Sequence, residues 1–240
     1  MLTARNLLKG LADLALPRKC TVCGRDLILA EDLICLRCLA DLPLTHFSDC
    51  KYNPMADALN ARVEAPRGMY LYAVALIYYK SGYKSIPKEL KYGRNFKAGR
   101  YFAGMLADNL MSSVYFKDID LVIPVPLHRC RKWTRGYNQA EVIAKVIADR
   151  LPLAALDTTS LKRTRDTSTQ TALEGEEREK NVKDSFSYKT PDKGSTPRHI
   201  LVVDDVFTSG STTASCCNAI LKKYGDEVRI SVATLAYAGE

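Results

Sequence analysis

The amino-acid sequence predicts an α/β fold, in which helices flank a mainly parallel sheet and a small cysteine-bearing module lies at the N-terminus. Four consecutive apolar residues at 200–203 end at two carboxylates, a pattern typical of a buried parallel strand that delivers acids to the carboxyl edge of a sheet. Other apolar runs alternate with amphipathic stretches. Two Cys-x-x-Cys pairs lie before residue 40. We expect the module to span residues 1–55 and the sheet domain residues 56–240.

Composition narrows the class of protein. With 240 residues, of which 47% are hydrophobic, the chain can bury a substantial core. It contains no run of eighteen apolar residues, and residues 1–17 lack the features of a secretion signal. The sequence therefore predicts a cytoplasmic protein without stable membrane insertion. The net charge of +8 favours polyanionic partners, either nucleic acid or a polyphosphorylated small molecule.

The N-terminal segment, Leu2–Leu16, places its leucines on one helical face. Its basic residues are too sparse for strong attraction to lipid. We expect this helix to dock on its own domain rather than on a membrane surface.

The two Cys-x-x-Cys pairs follow this segment. Each pair forms a tight turn that points two thiolates at one ion, and two such turns supply the four-sulfur tetrahedron that structural zinc prefers. Because no secretion signal accompanies them, zinc explains them better than disulfides do. The predicted Zn²⁺ ligands are Cys20, Cys23, Cys35 and Cys38.

A strand is predicted at Tyr70–Tyr79, and a basic stretch follows it. Residues 80–100 carry seven cations and one acid, with Tyr83, Tyr92 and Phe96 between them. These aromatic rings could stack bases of single-stranded DNA while the cations neutralise phosphates. The stretch is equally typical of a solvated helix face whose aromatic side chains enter the core.

The next strand, at residues 121–123, runs into a proline-rich turn and a loop with four cations and no acid. Such a loop suits a dense anion, and its guanidiniums include Arg131 and Arg135. An amphipathic helix is predicted from about Gln139 to Arg150. We expect its sheet-facing residues to be Val142, Ala144, Val146 and Ile147.

The chain from Leu161 to Val182 is highly polar, which favours a lid that closes over a site. A returning strand is predicted at Ser185–Tyr188, and a final apolar strand at Val228–Ala236.

The turn after the acid pair is typical of an anion-binding site. Hydroxyl residues surround Gly210, and a helix is predicted from the turn through Tyr224, with its stop at Gly225. Amides at a helix N-terminus can hold a phosphate. Asp204 and Asp205, one sugar length away, can accept hydrogen bonds from hydroxyls of a ribose 5-phosphate.

This segment resembles the loop of type I phosphoribosyltransferases that binds phosphoribosyl pyrophosphate (PRPP), with Ser209 in place of a threonine. The resemblance implies the fold of these enzymes and a catalytic acid pair, Asp204 and Asp205, that holds the ribose hydroxyls. It implies that Mg²⁺ bridges the substrate and that Arg131 and Arg135 neutralise pyrophosphate. The implied PRPP-binding loop comprises Val206, Phe207, Thr208, Ser209, Gly210, Ser211 and Thr212.

The spaced motifs together are similar to the ComF family of bacterial competence-associated proteins. They are the four cysteines, the strand end at 123–128, the run at 135–139, the lid residues Gln170, Arg178 and Asn181, and the loop after Val202. The resemblance implies a zinc ribbon before a phosphoribosyltransferase domain, and a part in DNA uptake during natural transformation.

Two hypotheses follow. The first is a phosphoribosyltransferase, a pentosyl-transferring glycosyltransferase that moves the phosphoribosyl group of PRPP to an unidentified acceptor and releases pyrophosphate. The second is a non-enzymatic factor of the DNA-uptake machinery that binds single-stranded DNA, or an adaptor for its helicase or channel proteins, and keeps the PRPP site as a sensor or relic.

Overall fold

A five-stranded parallel sheet forms the centre of the molecule. The computed structural model describes residues 17–90, 95–127, 133, 136–164, 185–190 and 196–239. Its strands are β1 (Tyr72–Tyr78), β2 (Leu121–Pro124), β3 (Ala155–Leu156), β4 (Leu161–Arg163), β5 (Phe186–Tyr188), β6 (His199–Phe207) and β7 (Arg229–Tyr237). The sheet has the order β1-β7-β6-β2-β3, and every pair in it is parallel. The predicted α/β class with a mainly parallel sheet is therefore confirmed.

Helices lie on both faces of this sheet. They are α1 (Leu36–Ala40), α2 (Pro54–Asn60), α3 (Ser85–Lys88), α4 (Phe96–Ser112), α5 (Gln139–Arg150) and α6 (Ser211–Tyr224). The connections β2-α5-β3 and β6-α6-β7 run in opposite directions across the sheet. Because parallel crossovers are right-handed, α5 and α6 cover opposite faces. Helix α4 packs beside α5, and α2 packs beside α6.

Strand β6 is longer than the sequence predicted. Residues 200–203 are fully buried, as expected, but the strand continues through the acid pair to Phe207. It can do so because β7 also continues, so that Asp204 pairs with Thr234 and Phe207 with Tyr237. The two acids therefore lie inside the last part of a strand, rather than at its tip.

The predicted strand at Ser185–Tyr188 is present as β5, but it lies outside the central sheet. It pairs antiparallel with β4, and this two-stranded sheet contacts α6. Gln170, Arg178 and Asn181, the predicted lid residues, lie outside the described residues.

Helix α5 has the predicted bounds, but its buried face is rotated from the expected one. Ile143, Ala144, Ile147 and Ala148 are buried, whereas Val142 and Val146 are half-buried. The buried set follows the i, i+1, i+4, i+5 spacing of one helical face.

Helix α4 was not predicted from the sequence, because two glycines interrupt its apolar pattern. One of them, Gly104, lies against the side chain of Arg150 from α5. The Arg150 guanidinium donates to the Gly104 carbonyl at 2.8 Å and to Asp108 at 2.6 Å. The absence of a side chain at Gly104 therefore permits close helix packing.

Residues 43–45 cover the free edge of β1. Leu44 forms an antiparallel bridge with Ile77, and the Tyr78 amide donates to the Pro43 carbonyl at 2.8 Å. Backbone groups on this side of β1 are thereby paired rather than open to other chains. The boundary at residues 55 and 56 stays a prediction.

Among the described residues, no helix combines the length and apolar content needed to cross a membrane.

Candidate functional site

The acid pair lies at the carboxyl edge of the sheet. Asp204 is half-buried and Asp205 is buried, with 6% of its surface exposed. The Asp204 side chain accepts a hydrogen bond from the Asp205 amide at 2.8 Å. Strand β2 stops pairing with β6 at Val203, so one side of the acid-bearing segment lies beyond the end of its neighbour.

The loop after β2 begins and ends next to this segment. The Val125 amide donates to the Val203 carbonyl at 2.8 Å. At the other end of the loop, Asn138 caps α5 and donates from Nδ2 to the Val125 carbonyl at 2.9 Å. Asn138 is almost fully buried, and its role was not predicted. Arg131 and Arg135 belong to this loop but lie outside the described residues.

The turn after β6 depends on Gly210. Its φ of 80° is in the left-handed region, and a Cβ at this position would overlap the ring of Phe207. Phe207 itself is buried beneath the turn. The Gly210 carbonyl accepts from the Thr213 hydroxyl at 3.0 Å and from the Ala214 amide at 2.8 Å, and so begins α6.

Hydroxyl groups face solvent around this turn. Thr208 and Ser209 are exposed, and the side-chain oxygens of Ser209 and Ser211 are 3.0 Å apart. The amides of Thr212 and Thr213 have no carbonyl four residues earlier within the helix. The turn thus combines exposed hydroxyls, amides that lack carbonyl partners within the helix, and the positive end of the α6 dipole.

A cation that the sequence did not single out lies in β4, which contacts α6. Burial raises the pKa of the Cys216 thiol in α6; the Asp204 carboxylate raises it further, whereas the Arg163 guanidinium lowers it. Both charged groups are therefore within electrostatic range of this thiol. Arg163 belongs to β4, and its guanidinium lies 5.5 Å from the ring centroid of Phe186. Only the fold brings β4 to α6, so no local pattern could have shown this.

A cavity of about 290 Å³ adjoins the turn. It lies between α6 and the chain that follows α2. Ser211 lines it and also belongs to the turn. The other lining residues are Ala61, Arg62, Val63, Glu64, Ala214, Ser215 and Asn218.

The four predicted zinc ligands are brought together. Their sulfur atoms all lie within 4.8 Å of one another, and those of Cys23 and Cys35 are 3.8 Å apart. Tetrahedral zinc, with Zn–S bonds of about 2.3 Å, requires sulfur separations of about 3.8 Å. The cluster therefore fits a four-thiolate ion, and no other metal-ligating cluster occurs in the part of the chain that the structure describes.

Backbone amides favour the thiolate form of two of the four cysteines, Cys20 and Cys35. Burial opposes ionisation of Cys35, but hydrogen bonds from the Cys38 amide and the Arg25 side chain outweigh it and lower the pKa of Cys35 to about 6. Amides of Cys23, Cys35 and Val22 likewise outweigh burial and lower the pKa of Cys20. Burial, together with the neighbouring sulfurs, raises the pKa of Cys38. A bound cation would favour the thiolate at all four positions.

A buried carboxylate, Glu31, supports the metal-binding turns. It accepts from the Leu36 amide at 2.8 Å, the Ile28 amide at 3.1 Å and the Arg25 guanidinium at 2.5 Å. The hydrogen bond from the Leu36 amide is the main reason that the pKa of Glu31 is lowered, and it outweighs burial, which would raise the pKa. Since Leu36 begins the helix that carries Cys38, Glu31 positions the second cysteine pair. This role was not predicted from the sequence, because a lone glutamate gives no signal.

In the basic stretch, two of the three aromatic residues pack inward. Tyr83 is half-buried and donates to the Cys38 carbonyl at 3.1 Å, and Phe96 lies 4.7 Å from Tyr137 between ring centroids. Tyr92 lies outside the described residues. For Tyr83 and Phe96 the structure agrees with the interpretation that aromatics enter the core. Among the cations of this stretch that the structure describes, the exposed ones are Lys80, Lys84, Lys88, Lys97 and Arg100.

Another buried titratable group, His199, lies at the amino edge of the sheet, opposite the edge that carries the acid pair. His199 is fully buried, and its ring nitrogens lie 2.9 Å from Asp118 and 2.7 Å from Ser231. Burial lowers the pKa of His199 to about 4, although the Asp120 carboxylate opposes the shift. This cluster lies at the first residue of β6, the strand that carries the acid pair near its other end.

Comparison with known proteins supplies relatives but no family model: none matches the chain. Competence protein F of Haemophilus influenzae is 33% identical over 111 residues, which are 46% of this chain and 48% of that protein. DNA utilization protein YhgH of Escherichia coli K12 is 34% identical over 111 residues, 46% of this chain and 47% of that protein. The Shigella flexneri protein of the same name is 35% identical over the same length.

The chain thus spans about half the length of the curated relatives it matches. Over that half, the predicted resemblance to ComF proteins is confirmed.

Proposed function

We propose that this protein binds PRPP with a type I phosphoribosyltransferase domain at residues 56–240, behind a zinc ribbon at residues 1–55. It transfers the 5-phosphoribosyl group to an acceptor in DNA uptake and releases pyrophosphate. One observation carries the proposal: β6 carries two adjacent carboxylates, the half-buried Asp204 and the buried Asp205, beyond the end of β2 and leads directly into a Gly210 turn that begins α6. The acids and the candidate phosphate-binding turn thus follow one another at the junction of a strand and a helix, both of which are rigid elements.

Each part has a distinct role in this mechanism. Amides and hydroxyls of residues 208–212 hold the 5-phosphate at the helix N-terminus. Asp204 and Asp205 accept hydrogen bonds from the ribose hydroxyls and favour positive charge at the anomeric carbon as pyrophosphate departs. Arg131 and Arg135 neutralise the departing pyrophosphate.

The donor set also suits Mg²⁺. Carboxylate oxygens are hard ligands, and Mg²⁺ in proteins usually needs only one or two of them, together with water and substrate phosphate. The half-buried Asp204 is open enough to contribute. When bound, the ion would neutralise charge on the pyrophosphate; the protein residues position the sugar.

The test is PRPP affinity and pyrophosphate release in the variant Asp204→Asn/Asp205→Asn. The amides keep the size of the carboxylates but remove both charges. We expect at least tenfold weaker PRPP binding and loss of release, with Asp226→Asn, an exposed acid after α6, as the control. Unchanged affinity and release in the double variant would contradict the proposal.

A second candidate function is binding of single-stranded DNA without catalysis. It is favoured by the name DNA utilization protein that several relatives carry and by the exposed cations of the basic stretch. A salt-dependent affinity for single-stranded DNA would support it.

A further inference from the structure

The cavity beside the turn has the form of an additional binding subsite. Its inner wall is one face of α6, because Ser211, Ala214, Ser215 and Asn218 follow the i, i+3, i+4, i+7 spacing. Its outer wall is the chain after α2, where Ala61 and Glu64 are exposed, so that the cavity opens to solvent. A volume of about 290 Å³ is at the small end for ligand sites and suits one sugar-sized group.

A buried polar side chain is aimed into this cavity. Asn218 is only 8% exposed, and its Oδ1 accepts from the Glu64 amide at 2.9 Å. Its Nδ2 has no hydrogen-bond partner among the described residues, although it lines the cavity. The Nδ2 donor is accessible from the cavity, so it can donate to a ligand that supplies an acceptor.

The remaining lining suits a sugar. The Ser215 hydroxyl donates to the Ser211 carbonyl at 2.9 Å, so its lone pairs stay available as acceptors. Arg62 contributes a guanidinium, while Val63 and Ala214 contribute apolar surface. Sugars combine ring oxygens and hydroxyls with apolar C–H faces, and this lining offers partners for both.

We propose that the turn and the cavity together bind the 3′-terminal nucleotide of a nucleic-acid strand. The phosphate in the turn is then a diester, and the sugar of the preceding nucleotide occupies the cavity. Ser211 contacts both subsites, which makes them continuous. The rest of the strand leaves through the open side. This inference rests on the proposed function, because it takes residues 208–212 as the phosphate site and the acids as the site for sugar hydroxyls.

The experiment compares two probes on the full-length, zinc-loaded protein by calorimetry with Mg²⁺. Uridine 5′-monophosphate occupies only the turn and the acid pair, whereas the dinucleotide UpU adds the second sugar. We expect UpU to bind at least tenfold more tightly than the monophosphate.

Two variants test the cavity itself. Ala61→Phe fills the mouth from an exposed position, and Asn218→Asp keeps Oδ1 for the Glu64 amide but removes the Nδ2 donor. Each should abolish the preference for UpU and leave affinity for the monophosphate within about twofold. Lys223→Phe, at the far end of α6, should keep the preference.

The outcomes separate the two proposals. If the monophosphate and PRPP bind but UpU binds no more tightly, the cavity inference is wrong and the proposed function stands. The same conclusion follows if the preference for UpU survives both cavity variants. If neither PRPP nor the monophosphate binds, the proposed function fails, and the cavity inference fails with it.

Discussion

Gly210 is the residue on which the geometry of the turn most depends. Replacing it with alanine introduces strain at a φ of 80° and an overlap with the Phe207 ring. We expect Gly210→Ala to lower the free energy of unfolding by about 2–4 kcal/mol, measured by denaturant titration, and to abolish PRPP binding.

Gly82→Ala is the matched control, because Gly82 has a φ of 85° but no atom within 4 Å of an added Cβ. Gly82→Ala should lower the free energy of unfolding by about 1 kcal/mol, because only the backbone is strained, and should leave PRPP affinity normal. Equal effects of the two substitutions would show that the ring contact is unimportant.

His199 makes a separate contribution to stability that depends on pH. Its ordinary pKa of 6.5 falls to about 4 in the folded protein, so the unfolded chain takes up the proton more readily. The contribution is complete above pH 6.5. As the pH falls from 6.5 towards 4, the free energy of unfolding decreases by about 3 kcal/mol. Urea titrations should show that the free energy of unfolding decreases less between pH 6.5 and pH 4 in His199→Gln than in the wild-type protein. An identical pH dependence in the two proteins would contradict the buried neutral histidine.

At the scale of elements, the cysteine module should depend on its metal. The purified protein should hold one zinc ion per chain, and Cys35→Ser should lose it, because a three-thiolate shell binds zinc far more weakly. Hydrogen exchange should then rise in residues 18–40 while β6 and β7 stay protected. Cys50→Ser, at an exposed cysteine outside the cluster, should retain the metal. Full zinc content in Cys35→Ser would contradict the four-cysteine site.

The sequence predicted those elements whose signals are local. Helix α6 was predicted to end at Gly225 and does so, and the two cysteine pairs were recognised from spacing alone. The extension of β6 to Phe207 could not be predicted, since it depends on pairing with β7, which is distant in sequence. The position of Arg163 near α6 and the cavity beside Ser211 likewise arise only from tertiary packing.

At the scale of the whole molecule, the net charge of +8 predicts a salt-dependent affinity for single-stranded DNA. Lys84, Lys88 and Arg100 are exposed residues of the basic stretch. Neutralising them should reduce the salt slope by about 0.7 for each DNA phosphate that the protein no longer neutralises. Fluorescence anisotropy between low and physiological salt measures the slope. Neutralising Lys222 and Lys223, at the other end of α6, is the control. Equal effects of the two sets would show that the basic stretch is not a specific surface.

The most direct test of the central claim is hydrogen exchange of the zinc-loaded protein with and without PRPP and Mg²⁺. Amides at the start of α6 lack intrahelical partners, so they should exchange quickly in the free protein and become protected when a phosphate accepts their hydrogen bonds. The account predicts that protection appears at residues 208–213 and requires Mg²⁺. Unchanged exchange at these residues, at PRPP concentrations that saturate known PRPP-binding enzymes, would contradict it.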